Sequence, residues 1–271
     1  MHLNINDTNY FLDSTAERKE TIVFSHGFLL DHSLFDGLRE ALRGEFCCVA
    51  FDHKGHGRTA PNETDYALDQ LVRDTISLIE SLEEAAVHFV GMSTGGFIGM
   101  RIALQRPDLL KSLVLLDTSA EEEPAWAKIK YHGLIKMHRL LGWQPLIGTI
   151  MNLMFSKAYL KSATNQESVY YWKKVIMGNP HHTIRYFGEA ILARDNVLSE
   201  LSGLTLPLCI VVGKEDVATP VEYSRRMADR LPHASYHELA GCGHMAVVEA
   251  VTEVSDLLRV FYRNHGFPAA P

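Results

Sequence analysis

Ser93 stands between two glycines in the run "VGMSTGGFIG" (residues 90–99). A strand-like stretch, "AVHFVGMS" (86–93), leads into it. A helix-like stretch, "TGGFIGMRIALQRP" (94–107), leaves it at once and stops at Pro107, where a helix should stop. A serine at such a strand–turn–helix junction is lifted above the C-terminal edge of a sheet. Gly91 and Gly95 let strand and helix pack closely around the turn. The first helical amide, that of Thr94, can stabilise a developing negative charge. The chemistry this allows is attack of the serine oxygen on a carbonyl carbon. G-x-S-x-G alone occurs by chance in roughly one chain in ten of this length, so the context carries the reading.

A serine hydroxyl needs a base, and the base needs a carboxylate to orient it. The last third of the chain supplies both. "LCIVVGKEDVATP" (208–220) reads as a strand ending in a loop with Glu215 and Asp216. "SYHELAGCGHMAVVEA" (235–250) reads as a short strand followed by the glycine-flanked His244. Asp216 is the acid the chain order favours. Glu215 and Asp117 remain rivals, Asp117 because it ends the preceding strand.

These groups need a scaffold that brings strand ends together. Strand-length apolar runs recur at 21–27, 47–52, 86–93, 112–117 and 208–213. They are nearly continuous rather than alternating, the pattern of parallel strands buried on both faces. Helical stretches at 68–82, 94–107 and 220–232 separate most of them, the first with Leu71, Ile76 and Ile79 near one face. The expectation is an α/β fold with a mostly parallel central sheet flanked by helices. The alternation fails between about Ser119 and Arg194, where four helical stretches follow one another and all three tryptophans lie (Trp126, Trp143, Trp172). The predicted organisation is core 1–118, inserted helical cap 119–194, core 195–271, with a frayed tail "HGFPAAP".

Four motifs together resemble the α/β-hydrolase-fold enzymes, in particular the capped, lactonase- and haloperoxidase-like branch. "SHGF" (25–28) is similar to that family's oxyanion loop. "FDHKGHGRT" (51–59) resembles D-x-R-G-H-G-x-S, with Lys54 and Thr59 in place of Arg and Ser. "GMSTGG" resembles the nucleophile elbow, and "GKEDVATP…GCGH" the acid and base loops. The resemblance spans residues 20–262. It implies Ser93 as nucleophile, His244 as general base and then acid, Asp216 as its orienting partner, and the Phe28 and Thr94 amides as an oxyanion hole. It implies packing roles for His26 and His56. Expected pocket residues are Phe28, Trp126, Tyr131, Met137, His138 and Trp172. Members of this fold that cleave alkyl halides or epoxides carry aspartate at the nucleophile position, so serine points to acyl transfer. The expected activity is hydrolysis of a small, fairly apolar ester or lactone through an acyl-enzyme. Carbon–carbon bond hydrolysis of a ring-cleavage product and a triad-bearing small-molecule receptor are the alternatives; Leu29 and Leu30 after "SHGF" depart from the glycine-rich loop of the carbon–carbon branch.

Composition narrows the partners. The 271 residues include 26 Lys+Arg and 33 Asp+Glu, a net charge of −7, without the basic run a nucleic-acid surface needs. No stretch reaches the ~20 apolar residues of a membrane span. The polar start "MHLNINDTNYFLDS" lacks a signal-peptide pattern. Cys47, Cys48, Cys209 and Cys242 contain no C-x-x-C pair and read as free thiols of a cytoplasmic protein. No metal or cofactor is expected. "HKGH" (53–56) has no third ligand. "GHGRTA" (55–60) runs into Pro61 rather than a helix, so a dinucleotide site is rejected. The partner expected is a small-molecule substrate, with neither nucleic acid nor membrane, and the oligomeric state is left open between monomer and homodimer.

Overall fold

The five apolar runs become five of the eight strands of one sheet in the computed structural model, which describes residues 1–15, 19–60 and 67–267. The strands are β1 (His2–Ile5), β2 (Thr8–Ser14), β3 (Thr21–Ser25), β4 (Cys47–Phe51), β5 (Val87–Met92), β6 (Leu110–Leu116), β7 (Leu208–Gly213) and β8 (Ser235–Leu239). Their spatial order is β1-β2-β4-β3-β5-β6-β7-β8. From β4 to β8 all neighbours are parallel, and β1 and β2 add antiparallel at one edge. Pro61 and the end of the tail lie outside the described residues.

Parallel pairing requires crossovers, and helices supply them. They are α1 (Asp36–Leu42), α2 (Leu68–Glu80), α3 (Thr94–Gln105), α4 (Ala125–Leu141), α5 (Ile147–Met154), α6 (Lys157–Lys161), α7 (Gln166–Met177), α8 (His181–Leu192), α9 (Val221–Arg230), α10 (Ala246–Glu249) and α11 (Val251–Asn264). The strand period of two divides the core. Phe24, Val90, Val114 and Val211 face the layer with α1 and α11. Val23, Phe89, Leu113 and Ile210 face the layer with α2, α3 and α9. Ile76 of α2 is only half-buried, while Val72 and Leu78 complete its inner face beside Leu71 and Ile79.

Two features position the site. The chain leaves β3 toward β4 and returns past β3 to form β5, so the sheet order reverses between these neighbours. The loops after β3 and β5 therefore diverge and leave a crevice at the sheet's C-terminal edge. The chain from α4 to α8 runs wholly between β6 and β7 without adding a strand, and its residues help wall that crevice.

Candidate active site

Ser93 follows β5 and precedes α3, with φ +52° and ψ −112°. A non-glycine residue there stores roughly 1–3 kcal/mol of strain. Its surroundings hold it. Ser93 N–H donates to Leu116 O at 2.9 Å. Ser93 O accepts from the Gly96 and Phe97 amides and from Thr118 Oγ1, the last at 2.7 Å. The flanking glycines are steric necessities. A Cβ on Gly95 would sit 1.9 Å from Ser25 O, and one on Gly91 would sit 2.3 Å from Gly95 O. Both obstacles are backbone and cannot rotate away. The first amides of α3 have no intrahelical acceptor, and the helix dipole makes this end partly positive.

His244 arrives from the loop after β8. Its Nδ1 lies 2.8 Å from Asp216 Oδ2. The Ala218 and Thr219 amides donate to Asp216 Oδ1 at 2.8 and 2.9 Å, and Thr219 Oγ1 donates to Oδ2 at 2.8 Å. Four donors thus converge on this carboxylate, fixing its plane and pointing one oxygen at the imidazole. With Nδ1 donating to Asp216, Nε2 keeps its lone pair. Ser93 and His244 line the same cavity, although no hydrogen bond between their side chains is among those of the described residues. Such contacts commonly tighten only around substrate.

The two other acids sit differently. Glu215 is exposed. Asp117 is fully buried at φ +45°. Its oxygens accept from Gly213 N at 2.8 Å and Ala246 N at 3.3 Å, tying the ends of β6 and β7 to α10. Burial, reinforced by the charge of Asp216, pushes its pKa well above the usual carboxylate range.

The loop after β3 is held by three buried imidazoles. His26 Nε2 accepts the His53 amide at 3.0 Å, and His53 Nε2 lies 3.1 Å from His26 O. His56 Nε2 accepts the Leu29 amide at 3.2 Å. Leu29 itself has φ +68°, and its carbonyl accepts from Asn179 Nδ2 at 2.9 Å. Leu29 is therefore gripped on both sides, which orients the adjoining Phe28 peptide. Burial, and then mutual repulsion, pushes all three histidines down to about 3. They are neutral hydrogen-bonding struts near pH 7. No group of three or more His, Cys, Asp or Glu that could hold a metal ion occurs among the described residues.

A largely apolar cavity of about 140 Å³ covers Ser93 and His244. Phe28, Tyr131 and His138 line it. Trp126, Met137 and Trp172 do not. Trp126 and Met137 lie on the outward side of α4, and Trp172 is buried in the packing beneath α7. The phase of a helix cannot be read from apolarity when both its faces are apolar, and α4 is such a helix. Residues not anticipated also converge here. Arg194 donates to Glu123 at 2.8 Å, and both line the cavity. Trp143, Leu146 and Leu153 form part of the apolar wall. Thr219 was detectable, because a hydroxyl three residues after an aspartate is a common local bonding pattern. Nothing local marks Asn179, whose partner is 150 residues away.

The sequence profile of the alpha/beta hydrolase fold matches residues 20–251. The chain belongs to this family. Among its relatives, 3-oxoadipate enol-lactonase 2 of Acinetobacter baylyi (strain ATCC 33305 / BD413 / ADP1) is 21% identical over 249 residues, covering 89% of this chain and 87% of that protein. RutD of Pseudomonas syringae pv. syringae (strain B728a), provisionally named a carbamate hydrolase, is 25% identical over 229 residues, covering 81% and 85%. The crystal structure of the enol-lactonase from Burkholderia xenovorans LB400 superposes with a TM-score of 0.89 at 22% identity, covering 97% of this chain and all of that one. Among the described residues no helix is long and apolar enough to cross a membrane.

Proposed function

We propose that the protein hydrolyses a small, uncharged and mainly apolar carboxylic ester or lactone through an acyl-enzyme on Ser93. The observation that carries this reading is the Nδ1–Asp216 contact of His244, at 2.8 Å, in a cavity whose wall also contains a serine on a strained turn. In this reading Ser93 Oγ attacks the carbonyl carbon and its proton passes to His244 Nε2. The carbonyl oxygen becomes an oxyanion held by the Phe28 and Thr94 amides. The tetrahedral intermediate collapses, and the leaving alkoxide takes the proton from His244. Water, deprotonated by His244, then attacks the acyl carbon. The proton returns to Ser93 Oγ as the acid departs. Asp216 keeps the imidazole in the reactive tautomer and balances its charge.

The wall favours this substrate class. Its aliphatic and aromatic side chains accept a short acyl group. Among the described residues of the wall, Arg194 is bound to Glu123, so this pair is internally balanced and an anionic substrate would have to displace a carboxylate. The names of the relatives, a lactonase and a carbamate hydrolase, belong to the same acyl-transfer class. The test is hydrolysis of 4-nitrophenyl acetate and butyrate, γ-lactones and an aryl carbamate by the protein and by Ser93→Ala. The reading expects turnover that vanishes in Ser93→Ala. Turnover surviving that substitution overturns the mechanism. A folded protein that binds these compounds without turnover supports the receptor alternative instead.

A further inference from the structure

Helix α4 is apolar around more than half of its circumference, in two adjoining arcs. One side, with Tyr131, Leu134, Ile135 and His138, lines the cavity. The other projects into solvent, with exposures of 68% for Trp126, 75% for Ile129, 41% for Met137, 79% for Leu140 and 64% for Leu141. At about 100° per residue these five and Gly133 fall within one arc about 120° wide along the whole helix, interrupted only by Lys130 near its edge. Five large apolar side chains on one exposed helix are not the scattered singles of an ordinary surface.

The charge around the stripe is one-sided. Helix α4 carries Lys128, Lys130, Lys136 and Arg139 and no Asp or Glu. Lys128 faces Glu122 at 3.6 Å. Among the ion pairs of the described residues, Lys130, Lys136 and Arg139 have no carboxylate partner. The chain as a whole carries −7, so this cationic strip runs against the charge of the molecule around it.

We propose that α4 is a lipid-docking helix: it seats the protein on an anionic phospholipid surface, with the Trp126–Leu141 stripe in the acyl boundary and the lysines at the headgroups. An apolar stripe bordered by Lys and Arg is the pattern of helices that lie in the plane of an interface. The convex, ungrooved shape of a single helix suits a planar surface. A second copy suits it less, because face-to-face pairing would bring two cationic strips together. The negative remainder of the molecule repels an anionic bilayer and so enforces one orientation. This contact departs from the sequence expectation of no membrane partner; it needs no spanning segment. It also stands apart from the catalytic reading, since docking requires no turnover.

The test is co-sedimentation with equimolar phosphatidylglycerol/phosphatidylcholine vesicles and with pure phosphatidylcholine vesicles, together with Trp emission. The expected result is binding to the phosphatidylglycerol vesicles with a blue shift that Trp126→Phe removes. Ile129→Asp/Leu140→Asp should weaken binding at least about tenfold, and Lys130→Glu/Lys136→Glu should do so by a similar factor. Val260→Asp, at an exposed apolar residue on α11, should leave binding unchanged. Both helix-α4 changes lie in solvent, and circular dichroism melts at wild-type temperature establish that the variants fold. Absence of binding, equal binding to both vesicle types, or binding indifferent to Ile129→Asp/Leu140→Asp overturns the proposal. A dimer in sedimentation velocity that Ile129→Asp/Leu140→Asp dissociates, without vesicle binding, overturns it in favour of a second copy on this face.

Discussion

Replacing Asp216 with asparagine tests the proposed proton path at a single atom. Asp216 Oδ1 accepts two backbone amides, at 2.8 and 2.9 Å. The asparagine carbonyl must take that place, because a side-chain NH2 there would face two donors. The NH2 then falls where Oδ2 meets Thr219 Oγ1 and His244 Nδ1 at 2.8 Å each. Thr219 can rotate its hydroxyl and accept one N–H. The other N–H points at His244 Nδ1, which must become the acceptor. The imidazole proton moves to Nε2, and the nitrogen that the proposed path uses as the base can no longer accept. The shape is unchanged while the base is inverted, so kcat should fall about 10⁴-fold, equivalent to about 5–6 kcal/mol of barrier. KM should move only a few-fold, because Asp216 does not touch substrate. The assay is steady-state hydrolysis of 4-nitrophenyl butyrate, with near-ultraviolet circular dichroism to establish the native fold. Asp117→Asn is the paired control, expected to cost stability by about 1–3 kcal/mol and kcat by less than about tenfold. If Asp216→Asn stays within tenfold of wild type, or if the large loss appears in Asp117→Asn instead, the proton path drawn here is wrong.

Gly95→Ala should lower the urea midpoint by the equivalent of about 3 kcal/mol or more, because its Cβ would meet the Ser25 carbonyl at 1.9 Å; a midpoint equal to wild type contradicts the close packing at the turn. Asn179→Ala should reduce kcat about tenfold while sparing the fold, as Leu29 O loses its cap-side donor; an unchanged kcat would separate the cap from the oxyanion loop. Stability should fall with acid. His26, His53 and His56 hold pKa values of about 3 in the fold against an ordinary 6.5, so the unfolded chain binds more protons between these limits. Their contribution is complete above pH 6.5 and lost below it, by about 2 kcal/mol each at pH 5. His88, lowered to about 4 chiefly by burial, adds in the same direction. His32 and Asp117 oppose them: burial disfavours the charge of His32, but the bond and charge of Asp52 win and raise its pKa, and burial raises that of Asp117, so the fold holds both protons more firmly than the unfolded chain does. Urea midpoints at pH 7.5 and pH 5 check the sign, and equal midpoints would refute it.

The parallel core was readable because strands buried on both faces have no polar alternation to blur them. The turn at Ser93 was readable for a related reason: the backbone leaves room only for glycine at 91 and 95, and that constraint is written in residue type. The edge hairpin of β1 and β2 was not, since "HLNINDTNYFLDS" is too polar to announce a strand, and its partner β4 supplies the pairing. The site divides along the same line. Ser93, Asp216 and His244 sit at strand ends beside turn residues, where chemistry and local geometry coincide. Much of the cavity wall comes from the helices between β6 and β7, where apolar residues serve core, cavity and open surface alike. That is why Trp126 and Met137, on the outward side of α4, looked equivalent in sequence to Tyr131 and His138 on the inward side. Glu123 and Arg194 escaped notice because their pairing exists only when the two ends of the cap segment meet.

The most direct measurement is covalent trapping. The protein would be treated with a 4-nitrophenyl alkylphosphonate, a reagent that phosphonylates an activated serine, and followed by intact-mass and peptide mass spectrometry. One adduct is expected, on the peptide carrying Ser93, formed in step with loss of esterase activity. None is expected in Ser93→Ala, and labelling should be far slower in Asp216→Asn. An adduct on another residue, or activity lost without Ser93 labelling, would contradict the acyl-enzyme mechanism on Ser93.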